Sequence, residues 1–93
     1  MIVTTRIPTH RNDGTKVSRR ELRAILNRVL DEFHGYSLEG PFDGGWISDD
    51  GIRYEETSYR LEIVITPARL DEARDLCIAI GEDLGQRAIF FEA

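Results

Sequence analysis

Apolar residues recur at two different periods along this 93-residue chain. Leu22, Ile25, Leu26, Val29, Leu30 and Phe33 fall three and four positions apart, as do Leu70, Ala73, Leu76, Cys77, Ile80 and Leu84. That spacing puts each set on one stripe of an α-helix. Elsewhere the period is two. Val3, Thr5 and Ile7 alternate with Ile2, Thr4 and Arg6, and Tyr59, Leu61, Ile63 and Ile65 alternate with Arg60, Glu62 and Val64. Each run reads as a strand with one buried face. The glycine-rich stretch 36–46 holds another strand, interrupted at Gly40-Pro41 and Gly44-Gly45, and Ala88 to Glu92 makes the last. The order strand, helix, strand, strand, helix, strand predicts one ferredoxin-like α+β sandwich over residues 1–93. Both helices are expected on one sheet face, with the strands ordered fourth, first, third, second.

Local signals bound these elements. Ser18 and Glu21 have the spacing of a capping box, in which hydroxyl and carboxylate both satisfy free N–H groups at a helix start. Gly35 is the expected left-handed stop of that helix, and Gly85 that of the second. Asp49-Asp50-Gly51 is a hairpin turn. Thr66 and Pro67 suit a helix cap and first position. The long return strand carries a change of parity: apolar residues are even-numbered at Ile52 and Tyr54 and odd-numbered from Tyr59 onward. One face cannot hold both sets in a regular strand. Fifteen residues, Ile52 to Thr66, would also extend about 50 Å. Both points predict a β-bulge or break between Glu55 and Ser58.

Composition narrows the class without naming a function. The chain is 41% hydrophobic and 31% charged, as in a soluble globular protein. No apolar run approaches the roughly 20 residues of a membrane span, and the first residues lack the basic and apolar regions of a secretory signal. The single cysteine excludes an internal disulfide and fits a reducing, cytoplasmic setting. Cys77, on an apolar stripe, reads as a small buried hydrophobe. Net charge is −5, divided unevenly. Residues 1–30 hold seven Lys/Arg against two Asp/Glu, whereas 31–93 hold five against fifteen. An acidic average argues against nucleic acid as a partner.

The basic excess gathers at the start of the first helix. Lys16, Arg19, Arg20 and Arg23, with His10 and Arg11 in the preceding loop, stand where a helix already carries partial positive charge. An anion bound there would compensate. A solvated basic face, or pairing with Asp71, Glu72 and Asp75 of the second helix, explains the same residues without a ligand. Gly14-Thr15-Lys16 lacks the glycine spacing of a phosphate loop. Two histidines and one cysteine make no zinc motif, and no serine or cysteine is set beside a base as an activated nucleophile. No metal or other cofactor is expected. His34 suits a helix C-terminus, where its charge meets the dipole. Glu55-Glu56 reads as an exposed acidic pair or as the source of one general acid or base.

Trp46-x4-Gly51-x4-Glu56-x-Ser58, followed by an alternating strand, a helix and Gly85-Gln86-x-Ala-Ile89, resembles a group of small bacterial domains. The resemblance spans about residues 18–92 and implies the same fold. That group brings no established activity, so it marks Trp46, Glu56, Ser58 and Gln86 as site or packing positions only.

The leading functional expectation is a non-enzymatic binding or assembly module that self-associates as a homodimer. Val64, Ile2 and one of Phe90 or Phe91 would otherwise leave apolar area in water. The competing class is a small-molecule enzyme or ligand sensor built on the Trp46–Ser58 hairpin with Arg6 and Arg60. A third, an acidic partner of a basic protein, rests on the charge balance alone. A concave pocket near Glu56 would favour the enzyme class; a flat apolar patch would favour assembly.

Overall fold

A computed structural model describes residues 1–86 and 89–93. Its elements follow the predicted order: β1 (Ile2–Pro8), α1 (Arg19–Phe33), β2 (Ser37–Ile47), β3 (Arg53–Val64), α2 (Leu70–Asp83) and β4 (Phe91–Glu92), with a 3₁₀ turn at Pro67–Arg69 ahead of α2. The sheet order is β2-β3-β1-β4, the predicted one, and every neighbouring pair is antiparallel. This is the ferredoxin-like α+β arrangement. No helix among the described residues is long and apolar enough to cross a membrane.

The core lies between the helices and one sheet face. Val3 and Ile7 of β1, Leu61 and Ile63 of β3, Leu26, Val29 and Phe33 of α1, and Ala73, Leu76 and Ile80 of α2 form one buried cluster. The alternation of β3 is as read: Leu61 and Ile63 are fully buried and Val64 is 69% exposed. Leu30, placed on the apolar stripe of α1, sits at its margin and is exposed.

Three local expectations are corrected. The Ser18 hydroxyl does accept from the Glu21 N–H (3.1 Å), but the Glu21 carboxylate pairs with Arg11 instead of folding back on the cap. An arginine in the preceding loop competes better for it than a backbone N–H. The left-handed residue ending α1 is His34 (φ 67°), whose N–H bonds the Leu30 carbonyl, and Gly35 is not left-handed. Gly85 (φ 69°) does end α2, with the Gly85 and Gln86 N–H groups on the Glu82 and Gly81 carbonyls.

The third correction concerns β3, which runs unbroken from Arg53 to Val64 with no bulge between Glu55 and Ser58. The irregularity is on its partner. Between Glu39↔Arg60 and Phe42↔Ser58, two β2 residues, Gly40 and Pro41, stand against one β3 residue, Tyr59. Gly40 takes φ 111°, and a Cβ there would meet Phe42 at 3.0 Å. The Gly44-Gly45 interruption is absent, since both stay in the ladder opposite Glu56 and Glu55. The parity change has another cause. Beyond residue 58 the β2–β3 hairpin runs past the helix layer as an arm, and none of residues 42–47 or 53–57 joins the core. Its apolar side chains therefore need not share the core-facing parity. Twelve extended residues span about 36 Å from first to last Cα, which the 38 Å long axis accommodates.

The last strand is shorter than expected. Only Phe91 and Glu92 pair with β1, opposite Thr5 and Thr4, and the predicted start at Ala88 lies outside the described residues. The buried Thr5 hydroxyl adds a bond to the Phe90 carbonyl (2.6 Å). The edge of β1 from Arg6 to Pro8 is thus left without a β4 partner.

Candidate functional site

That unpaired edge and the inner part of the arm bound a groove of about 380 Å³. On β3, Tyr54, Glu56, Ser58 and Arg60 share the face turned away from the helices, because successive side chains alternate. Their ladder partners share it too: Trp46 opposite Tyr54, Pro8 opposite Ser58, and Arg6 opposite Arg60. Arg6, Trp46, Glu56 and Ser58 line the groove from this sheet face. Cys77 and Gly81 of α2 line it through the gap at the β1 edge, and Gln86, Ile89 and Phe90 form its far wall.

Four of the five hairpin and pocket candidates, Trp46, Glu56, Ser58 and Gln86, therefore meet in one concavity. Arg60 is not among its lining residues. Its guanidinium bonds Glu39 (2.6 Å) and sits 5.6 Å from the Phe42 ring centroid, while its Nε is buried without a partner among the described residues. Trp46 stacks on Tyr54, with ring centroids 4.4 Å apart and planes 13° from parallel, and remains 49% exposed. Two carboxylates line the groove. Asp43 is engaged by the Thr57 hydroxyl (2.9 Å), whereas Glu56 makes no hydrogen bond or ion pair among the described residues. The Gln86 side-chain nitrogen is buried and likewise has no described partner.

Sequence reasoning missed the contribution of α2 and of Ile89 and Phe90 beside Gln86 on the far wall, which only the tertiary arrangement creates. One signal was present. Gly81 interrupts a helical run at a cost of about 1 kcal/mol relative to alanine, and a Cβ there would lie 2.3 Å from the Ile89 side chain. The glycine lets the groove wall approach α2.

Cys77 lies at the groove's base, 2% exposed. Burial pushes its thiol up to about 11 from 9.0, against a smaller opposing effect of the Thr5 hydroxyl. Because the folded value is raised, this stabilisation is complete below pH 9 and is lost as pH rises through 11. Denaturant unfolding at pH 8 and pH 11 should show wild type losing about 2 kcal/mol more than Cys77→Ala across that interval. Equal losses would show that the thiol does not carry the slope.

The six residues of the basic cluster have different surroundings. Arg11 pairs with Glu21, and His10 Nδ1 hydrogen-bonds the Thr9 hydroxyl (2.9 Å). Lys16 and Arg19 line a separate small cavity of about 110 Å³ with Ser18 and Tyr59, and Pro8 lines both it and the groove. Arg20 and Arg23 are exposed and border neither space. The anticipated pairing with α2 is not made by these residues, since Asp71 and Glu72 bind Arg74 and Arg69 within their own helical segment. Arg28 and Asp83, 3.9 Å apart, link the helices instead. Among the described residues no group of three or more His, Cys, Asp or Glu side chains is placed to hold a metal ion.

No protein-family pattern matches this chain, and no curated protein matches it in sequence. Among solved structures, a phage SAM lyase in complex with S-methyl-5′-thioadenosine is similar, with a TM-score of 0.69 over 98% of this chain and 77% of that one. The two are 11% identical. The likeness is therefore one of fold, and it agrees with the ferredoxin-like α+β arrangement seen here.

Proposed function

We propose that the groove is the active site of a small-molecule enzyme acting on an adenosyl sulfur compound, with SAM as substrate: the bond between sulfur and the amino-acid tail breaks, its electron pair stays on sulfur to give S-methyl-5′-thioadenosine, and the four-carbon tail gives up one proton to Glu56 and leaves as an unsaturated amino acid. The observation that carries this reading is the convergence of Trp46, Glu56, Ser58 and Gln86 on one groove. Its volume lies within the roughly 300–1,000 Å³ usual for ligand sites. The similar fold of the phage lyase indicates which ligand to try first. The chemistry fits as well. A planar purine can stack on the exposed Trp46–Tyr54 pair, Ser58 and Gln86 offer hydrogen bonds, and the unengaged Glu56 complements a sulfonium and can accept a proton.

The test is direct. Purified protein incubated with SAM should release methylthioadenosine, resolved by chromatography. Methylthioadenosine at a hundred times its Kd should stabilise the fold by about 2.7 kcal/mol in a thermal melt. The absence of both turnover and stabilisation would sink the reading.

A second reading, self-association, is favoured by a separate observation. Ile2 and Val64 are ladder partners on the open sheet face and are 53% and 69% exposed. We propose that a second copy covers them. Light scattering at high micromolar concentration should give the mass of a dimer, and Val64→Asp should give that of a monomer. A monomeric wild type would overturn this.

A further inference from the structure

The groove has a cationic end. Arg6 and Arg60 occupy directly opposed positions on β1 and β3, on the same face. Like charges so placed repel across the ladder. The sheet compensates only one of them: Glu39 binds Arg60, and no carboxylate lies within ion-pair distance of Arg6 among the described residues. Glu62 and Glu92 share this face, each opposite Thr4 and so diagonal to Arg6, and neither pairs with it. Arg6 is nonetheless held. Its guanidinium sits 5.6 Å from the centroid of the Phe90 ring, a contact that leaves the planar fork of N–H donors free.

We infer that Arg6 is the specificity-determining residue that receives the carboxylate of the ligand's amino-acid end. This inference rests on the proposed adenosyl ligand and adds the recognition of its tail. The spacing supports a tail over a compact anion. Along the open face, Arg6 lies opposite residue 60, Glu56 is four residues farther along β3, and the Trp46–Tyr54 stack is two beyond that. At about 3.3 Å per residue, the cationic end and Glu56 are about 13 Å apart at the backbone, and long side chains shorten that gap. A ligand reaching from the aromatic stack past Glu56 to Arg6 must be elongated, with its negative charge at the end far from its ring.

Two thioethers that share an adenosyl group and differ in the tail separate the possibilities. S-Adenosylhomocysteine carries the carboxylate, methylthioadenosine does not, and neither is a sulfonium that would turn over during the measurement. By calorimetry, Arg6→Ala should weaken S-adenosylhomocysteine about 10- to 100-fold, while methylthioadenosine changes less than threefold. Arg6→Lys should recover part of the loss, because a point charge replaces a bidentate fork. Equal weakening of both ligands would make Arg6 a general support of the groove and overturn the inference. So would unchanged S-adenosylhomocysteine affinity, or a wild type that binds methylthioadenosine alone. A wild type that binds neither would overturn the ligand reading and this inference with it.

Discussion

Glu56→Gln should lower the conversion of SAM to methylthioadenosine by about 10²–10⁴-fold, the usual contribution of a positioned acid or base. The same change should leave folding almost untouched. Glu56 is exposed and faces Gly44 across the ladder, and its carboxylate makes no hydrogen bond or ion pair among the described residues. Such surface substitutions shift stability by no more than about 0.5 kcal/mol. Glu55→Gln is the matched control. It lies one residue away on the opposite face of the same strand, opposite Gly45, and does not line the groove. Chromatographic turnover assays and thermal melts on the two variants should therefore diverge in activity and coincide in stability. Full activity of Glu56→Gln would remove the carboxylate from the chemistry. Comparable losses in both variants would point to the acidity of the arm as a whole.

The fold was legible because its determinants are local or periodic. Two helical stripes, the Ser18 cap, the Asp49-Asp50-Gly51 turn and Gly85 each act within a few residues, and together they leave few topologies open. Misplacements occurred where one pattern has two physical causes. A change of apolar parity arises from an extra residue in the strand, or from a change in what covers its faces. Tyr54 and Tyr59 differ for the second reason: Tyr59 packs against the core, whereas Tyr54 lies on the arm, where Trp46 supplies its packing. The extra residue is real but sits at Gly40-Pro41. There the sequence carries two backbone-special residues and no parity signal, because β2 buries too little to show alternation.

The candidate site was legible in half. Trp46, Glu56 and Ser58 are neighbours on one hairpin, so short-range spacing brings them together. Gln86, Cys77 and Gly81 reach the same space only because β4 pairs two residues of β1 and then departs from its edge. No local pattern encodes that departure. The anion site expected at the start of α1 relied on charge placement alone: Arg11 pairs with Glu21, ten residues on, and of the six residues Lys16 and Arg19 line the cavity there.

The largest stability effect should fall on the core-facing side of β3. Leu61 is fully buried, opposite Thr5 on β1 and Leu38 on β2, within the single cluster that joins sheet and helices. Leu61→Ala removes buried methyl and methylene groups and leaves a cavity that neighbours fill only in part, at a cost of about 2–5 kcal/mol. Domains of this size have about 5–15 kcal/mol in total, so urea denaturation should show a midpoint lowered by about a third. Val64→Ala, three residues along on the other face, should cost less than about 0.5 kcal/mol at low protein concentration. The two variants together test the parity of the strand: similar costs would mean that the open face is as buried as the core face. A Val64→Ala cost that grows with protein concentration would carry separate information. Stability contributed by an interface follows mass action, so that dependence would locate the surface where a second copy binds.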